Sequence, residues 1–163
     1  MEEFPHHYTV AASGAVGGDV ELTAERVPGL RSASPAEFGG PGDRWSPETL
    51  LVGAVADCFI LTFRAVARAS KLSWTSLQCD ATGRLDRIDR VTQFTSVDIH
   101  AHLTVPPGTD PDQASRALDK AERSCLISNS LKAAIHLDRQ VDVAAEPIGS
   151  LAAVTNTLEL NLL

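Results

Sequence analysis

The sequence lacks the features that mark several large classes of protein. Its 163 residues include 14 Lys and Arg against 21 Asp and Glu, a net charge of −7, and the basic residues do not cluster. Binding to a phosphate backbone needs such clusters, so we expect no nucleic acid partner. No apolar run approaches the ~20 residues of a membrane span, and the acidic N-terminus has no signal-peptide core. We therefore predict no membrane partner and a cytoplasmic location.

Cysteine is also scarce, with Cys58, Cys79 and Cys125 spread along the chain. This odd number is unlike a secreted disulfide framework. In a reducing compartment such cysteines are structural, metal-binding or catalytic. The sequence has no CxxC or HxxxH pair and no flavin or nicotinamide fingerprint, so we predict no metal and no bound cofactor.

The length fits one domain with its own core. We predict a single domain over residues 1–148 and a C-terminal tail over residues 149–163. The tail begins with a Gly-Ser break and extends no pattern in the preceding chain. It is interpreted as an amphipathic segment, a dimer arm or a stretch foreign to the domain.

The order of predicted elements indicates an α+β fold. Two or three short strands are predicted between residues 7 and 30, followed by a loop over residues 31–44. Strands over residues 72–85 and 91–105 flank the polar turn DRIDR, and one or two more end the domain. One face of the second long strand is apolar throughout, at Val97, Ile99, Ala101, Leu103 and Val105. There is no sign of repeated βαβ units, so α+β fits better than a doubly wound sheet.

Two helices are predicted, and each contains a cysteine. The stretch WSPETLLVGAVADC starts the first, with Ser46 as cap, Pro47 in the first turn and Glu48 favoured by the helix dipole. This helix is expected to run to about Ser70, buried in a core or against a second subunit. The second is expected to open at residues 110–111 and to continue through Ile127 and Leu131, with Cys125 on its apolar face.

A cysteine on a helix is most often a small buried hydrophobe, and Cys79 receives only this interpretation. Cys58 and Cys125 differ because each has polar neighbours in an apolar helix. A reactive thiol needs a positive or hydrogen-bonding environment with some access to solvent. A second thiol within reach can convert a sulfenic acid into a disulfide.

The stretches WSPETLLVGAVADC and SCLISNSL resemble the two cysteine-bearing segments of the OsmC/Ohr family, the osmotically inducible protein C and organic hydroperoxide resistance proteins. GGPGDRWSPETLL resembles the family's loop into its first long helix, and the order of elements agrees over roughly residues 7 to 145. The resemblance implies an OsmC-like fold with antiparallel sheets and two long central helices. It also implies an intertwined homodimer with two active sites at the interface.

The resemblance further implies thiol-dependent reduction of organic hydroperoxides, an antioxidant role in the oxidative stress response. Cys58 would attack the peroxide, Cys125 would resolve it as a disulfide, and an external dithiol or redox protein would reduce that disulfide. Glu48 matches the family glutamate that orients a catalytic arginine. Ten helical positions separate Glu48 from Cys58, about 15 Å along a straight helix. If both serve one site, the glutamate comes from a partner subunit or the helix breaks.

The sequence departs from the family at the arginine. Peroxide-reducing members carry one in the early glycine-containing turn, which here reads SGAVGGDVEL, with Asp19 where a base is expected. Arg26, Arg31 and Arg44 are candidates to replace it, and Arg44 is nearest to the Glu48 cap. The other interpretation of Arg44 is a solvated loop residue.

The missing arginine leads to an alternative function, a non-enzymatic OsmC-like dimer that acts as a redox sensor or binds a hydrophobic ligand. A third interpretation is that both helical cysteines are inert core residues. Outside the thiols, His100 and His102 share one strand face, which is typical of a solvated surface, with a metal pair as the alternative.

Overall fold

A computed structural model of the chain describes residues 3–145, and the whole of the predicted tail, residues 149–163, lies outside this range. The elements follow the predicted order of strands, helix, strands, helix and strand. They are β1 (Ala11–Ser13), β2 (Val20–Thr23), β3 (Leu30–Ser32), α1 (Pro47–Ser70), β4 (Ser76–Ile88), β5 (Val91–Val105), α2 (Pro111–Ser124), α3 (Leu126–Asn129) and β6 (Ala134–Val143). The predicted α+β class is confirmed.

The strands form two separate three-stranded sheets. Strands β1, β2 and β3 pair in sequence order and are all antiparallel. In the second sheet β4 and β5 are antiparallel, whereas β5 and β6 are parallel. This one parallel pairing differs from the antiparallel sheets that the resemblance implied. Its cause is the crossover through α2 and α3, which returns the chain to the end of the sheet where β5 began.

The hairpin between β4 and β5 is tighter than predicted. The strands extend to Ile88 and from Val91, so that the turn contracts to Asp89 and Arg90, whose φ angles are 50° and 69°. Two successive left-handed residues match the twist of the flanking strands.

Helix α1 begins as its sequence predicts. The Thr49 amide donates to Ser46 Oγ at 3.2 Å, and the Ser46 amide donates to Thr49 Oγ1 at 2.8 Å. These reciprocal bonds satisfy two amides that the helix itself leaves without partners. The helix ends at Ser70, followed by Lys71 in the left-handed conformation. The predicted cap and end of this helix are both confirmed.

The core lies between the helices and one face of the second sheet. The five alternating apolar residues of β5 are each at most 2% exposed, which confirms the predicted inward face. They pack against the buried face of α1 and against small residues of α2, and the main helical members are Val55, Phe59, Phe63, Ala114, Ala117, Leu118 and Ala121.

The second predicted helix is not continuous. Helix α2 ends at Ser124, Cys125 is extended with ψ of 117°, and α3 then spans four residues. Polar side chains favour this break, since the Asn129 side chain donates to the Arg123 carbonyl at 3.1 Å. The expectation of one helix through Leu131 was therefore wrong, and Cys125 lies at a junction.

Two surfaces are largely uncovered within the described chain. Most side chains of β1–β3 are exposed, and this sheet packs little against the helices of its own chain. Along α1, Leu61 is 51% exposed. By length and by mean hydropathy, which reaches 1.9 in an 18-residue window within Pro47–Ala69, α1 also meets the criteria for a membrane span. Core helices meet them too, and one side of α1 forms the core here.

Candidate active site

The structure brings the thiols of Cys58 and Cys125 together. Cys58 lies in the middle of α1, and its sulfur is 3.8 Å from Thr62 Oγ1, one helical turn further on. The Cys125 thiol hydrogen-bonds to the Cys58 sulfur, as do the backbone amides of Leu126 and Ile127. Four hydrogen-bonding groups therefore surround one sulfur atom: one from α1, and three from Cys125 and the start of α3.

The break in the second helix supplies two of these donors. Cys125 is the residue before α3, so the amides of Leu126 and Ile127 open that helix and have no partner four residues earlier. They are free to donate to Cys58 across the α1–α3 contact. A continuous helix would have bonded both amides internally.

The surroundings shift the pKa values of the two thiols in opposite directions. Burial acts to raise the pKa of Cys58, but the Ile127 amide, the Cys125 thiol, Thr62 and the Leu126 amide together lower it below its ordinary value. Burial raises the pKa of Cys125, and its bond to Cys58 adds to this against opposing bonds from Ser128. Of the two thiols, Cys58 therefore ionises more readily.

Access also differs between the two thiols. Cys125 is fully buried, while Cys58 is only partly buried. Leu126 beside Cys58 is 74% exposed, and Leu61 on the same side of α1 is half exposed. Solvent therefore contacts Cys58 but not Cys125.

Cys79 is in a different environment. It is half-buried on β4 and packs against the core. Burial, followed by the charges of Asp80 and Cys125, raises its pKa to about 11. A thiol so rarely ionised is a poor nucleophile, which agrees with its prediction as a structural residue.

Glu48 lies apart from the thiols. Helix α1 is unbroken from Pro47 to Ser70, so the ten positions between Glu48 and Cys58 correspond to about 15 Å. Within residues 3–145, Glu48 Oε2 is buried and has no hydrogen-bond partner. It borders a cavity of about 570 Å³ between the start of α1, the far end of the β4–β5 hairpin and the loop before α1. This space is called the Glu48 cavity below.

The Arg44 side chain pairs with two aspartates of its own chain. Its guanidinium forms ion pairs with Asp19 at 3.2 Å and with Asp43 at 3.0 Å. Asp19 is the acid of the early turn SGAVGGDVEL. No cation is among the groups that shift the pKa of Cys58. Within one chain, therefore, Arg44 is committed elsewhere, and a role for it beside Cys58 stays a prediction.

Sequence reasoning missed three groups around Cys58. Thr62 was detectable, since a residue four positions along a helix lies on the same face. The amides of Leu126 and Ile127 were not, because their availability depends on the unpredicted break at Cys125.

The three histidines of the second sheet lie on its outer face, as was predicted for His100 and His102. Each pairs with an aspartate of the neighbouring strand, at distances of 2.7 to 3.2 Å: His100 with Asp138, His102 with Asp142 and His136 with Asp98. All three rings are largely exposed. No cluster able to hold a metal ion occurs within the part of the chain that the structure describes.

Known proteins resemble this chain in sequence and in structure. A family model described as OsmC-like protein matches residues 40–139. Uncharacterized protein YmaD of Bacillus subtilis is 27% identical over 142 residues, 85% of this chain and 95% of that protein. Peroxiredoxin OsmC of Escherichia coli is 30% identical over 96 residues, 59% of this chain and 66% of that protein. A structure titled organic hydroperoxide resistance protein OsmC, from Legionella pneumophila, is 27% identical with a TM-score of 0.68, covering 86% of this chain and 100% of that one.

Proposed function

Because the chain belongs to the OsmC-like family, as its sequence predicted, we propose that it reduces organic hydroperoxides through Cys58 and Cys125. Relatives carry the names peroxiredoxin and organic hydroperoxide resistance protein. The observation that carries the proposal is the hydrogen bond between the two thiols, with the pKa of Cys58 lowered and that of Cys125 raised. An attacking thiol and a resolving thiol need these two properties.

The reaction has three steps. The Cys58 thiolate attacks the peroxide oxygen distal to carbon, the O–O bond breaks, and the departing alkoxide takes a proton to give an alcohol. Cys58 is then a sulfenic acid. Cys125 gives up its proton and attacks the Cys58 sulfur, so that a disulfide forms and water leaves. An external dithiol returns two electrons and restores both thiols.

Hydrogen bonds take the place of the missing arginine in this proposal. The amides of Leu126 and Ile127 and the Thr62 hydroxyl already stabilise a negative sulfur. Fixed backbone donors can act on a developing negative charge without reorganising during the reaction. A cation would add to this effect, but the proposed chemistry does not depend on one.

We also propose that the protein acts as an intertwined homodimer. The sheet β1–β3 and the outer side of α1 leave apolar side chains exposed that a second copy would cover. Glu48 cannot reach Cys58 of its own chain but could face the partner's Cys58 if two α1 helices cross antiparallel. Their crossing point would then fall midway, at Gly53, where the absence of a side chain permits close approach.

The alternative is a non-enzymatic dimer that senses redox state or holds a hydrophobic ligand. The observation in its favour is the Glu48 cavity, whose walls are mainly apolar. It predicts a reversible disulfide or a retained ligand, with negligible peroxide turnover even when a good dithiol donor is supplied.

The test is the steady-state consumption of cumene hydroperoxide with a dithiol donor. Cys58→Ser is expected to reduce the rate by on the order of a thousandfold, because a hydroxyl is a far weaker nucleophile at neutral pH. Cys125→Ser is expected to stop after one turnover. Cys79→Ala, the matched control, keeps the rate. Multiple turnover by the Cys58→Ser protein would contradict the proposal, and negligible turnover by the unmodified protein would favour the alternative.

A further inference from the structure

The hydroxyl of Ser128 is a buried polar group beside the second thiol. Ser128 lies in α3, three positions after Cys125, and is 5% exposed. Its hydroxyl and its amide both approach the Cys125 sulfur. A neutral thiol is only a weak acceptor, and Ser128 Oγ has no stronger partner within residues 3–145. This hydroxyl is therefore buried without a strong hydrogen bond.

The polar side chains that follow Ser128 have other partners. The Asn129 side chain donates to the Arg123 carbonyl at 3.1 Å, and the Ser130 hydroxyl donates to the Leu126 carbonyl at 2.8 Å. Both bonds engage the backbone at the helix break. The Ser128 hydroxyl makes no such bond to the backbone of the described chain. The local structure of α3 therefore does not account for a hydroxyl at this position.

The surroundings of Cys125 disfavour its ionised form. Cys125 is fully buried, and burial raises its pKa. The titratable groups that face it, Cys58 of α1 and Cys79 of β4, would add like charges if ionised. The two influences that favour the Cys125 thiolate both come from Ser128, first its hydroxyl and then its amide. A hydrogen bond to a charged sulfur is stronger than one to a neutral thiol, so the hydroxyl gains a strong partner when Cys125 ionises.

From these observations we propose that Ser128 is a catalytic residue of the disulfide-forming step, in which its hydroxyl donates a hydrogen bond to the Cys125 sulfur as that sulfur attacks Cys58. The inference rests on the proposed role of Cys125 as the resolving thiol. In this step the S–S bond forms, the S–O bond of the Cys58 sulfenic acid breaks, and the proton of Cys125 leaves with the departing hydroxide as water. Ser128 keeps its own proton and stabilises the negative charge that develops on the attacking sulfur.

The test follows the attack by Cys125 without any peroxide. Dipyridyl disulfide reacts with Cys58 to give a mixed disulfide and one thiopyridone. Cys125 then attacks the Cys58 sulfur, so that the protein disulfide forms and a second thiopyridone leaves. Stopped-flow absorbance measures both releases. Every protein in this test carries Cys79→Ala, so that no third thiol contributes, and Cys125→Ser should abolish the second release.

Ser128→Ala is expected to slow the second release by about three- to tenfold at neutral pH and to change the first by less than about twofold. Without the hydroxyl the pKa of Cys125 rises and its thiolate fraction falls, although each thiolate becomes somewhat more nucleophilic. The difference should vanish at high pH, where Cys125 is ionised in both proteins. Thermal stability should be kept or raised, because alanine removes a buried polar group that lacks a strong partner.

Further variants isolate the effect of the hydroxyl. Ser124→Ala removes an exposed hydroxyl next to Cys125 and should keep both rates. Ser128→Thr and Ser128→Val have nearly the same shape and differ in the hydroxyl, so Ser128→Thr should show the faster second release. This pair decides if Ser128→Ala does not fold. Equal second releases with and without the hydroxyl, equal slowing at every pH, or no second release while Ser128 is present would overturn the inference.

The same proteins separate this inference from the proposed peroxide reduction. With one equivalent of cumene hydroperoxide, Ser128→Ala should hold Cys58 longer as a sulfenic acid before the disulfide appears. Peroxide turnover by the unmodified protein, together with an unchanged second release in Ser128→Ala, contradicts only the inference. A slowed second release in a protein that consumes no hydroperoxide supports the role of Ser128 and contradicts only the proposed substrate.

Discussion

Helix α1 carries two polar groups of functional interest, and their surroundings differ. In its middle, the Cys58 sulfur has donors from Thr62, Cys125 and the start of α3, all within one chain. At its start, one oxygen of the Glu48 carboxylate, Oε2, is buried beside a cavity and lacks a donor among the described residues. The groups that hydrogen-bond to the Cys58 sulfur thus all come from a single chain. The buried Glu48 oxygen, in contrast, needs a hydrogen-bond donor from outside the described chain. The following predictions test that contrast.

The largest expected effect is a difference in thiol reactivity. Cys58 is predicted to react with iodoacetamide on the order of a hundredfold faster than Cys79 at neutral pH, because the pKa of Cys58 is lowered and that of Cys79 is about 11. Buried Cys125, whose pKa is raised, should also react slowly. Peptide mass spectrometry after timed alkylation measures all three rates.

The pH dependence of this reaction has a definite sign. The thiolate fraction rises as pH rises through the pKa, so a lowered pKa keeps Cys58 reactive at lower pH than an ordinary cysteine. Denatured protein, in which the hydrogen bonds are absent, is the control. Equal rates for the three cysteines in the folded protein would remove the contrast between them.

The next largest effect is expected on the proposed dimer, in which a second copy of the chain would contact the start of α1 near Glu48. If two α1 helices cross at Gly53, Gly53→Leu should raise the dimer dissociation constant by about tenfold to a hundredfold, because a large side chain forces the helices apart. Sedimentation equilibrium measures the constant. Ala69→Leu adds a similar bulk near the far end of α1 and should leave it unchanged. An unaffected dimer in Gly53→Leu would place the crossing elsewhere.

The smallest effect is expected when one hydrogen-bond donor to the Cys58 sulfur is removed. Leu126→Pro deletes the Leu126 amide hydrogen, and both its position at the start of α3 and the extended Cys125 before it suit a proline. The pKa of Cys58 should rise, so that alkylation at neutral pH slows by about three- to tenfold. Leu126→Ala keeps the amide and should keep the rate. Equal rates in the two variants would show that this donor has no effect.

The parts predicted from sequence are those set by local patterns. The Ser46 and Pro47 signals fixed the start of α1, and strict alternation identified the inward face of β5. Both depend on neighbours within a few positions. Cys58 and Cys125 were also distinguished from Cys79, first by their polar neighbours in the sequence and then by the family resemblance.

The parts that sequence reasoning missed depend on contacts between distant segments. The break at Cys125 arises where polar side chains bond backbone groups in place of the helix, and periodicity alone favoured a continuous helix. The parallel pairing of β6 follows from the path of α2 and α3. The ion pair of Arg44 with Asp19 joins two loops 25 positions apart. None of these contacts leaves a periodic signal in the sequence.

The central claim is that Cys58 attacks a hydroperoxide and Cys125 resolves the product. Its most direct test is mass spectrometry of reduced protein treated with one equivalent of cumene hydroperoxide and digested without reductant. The account predicts a peptide pair joined by a Cys58–Cys125 disulfide, and a sulfenic acid on Cys58 in the Cys125→Ser protein. Oxidation found mainly on Cys79, or no oxidation of Cys58 while the peroxide is consumed, would contradict it.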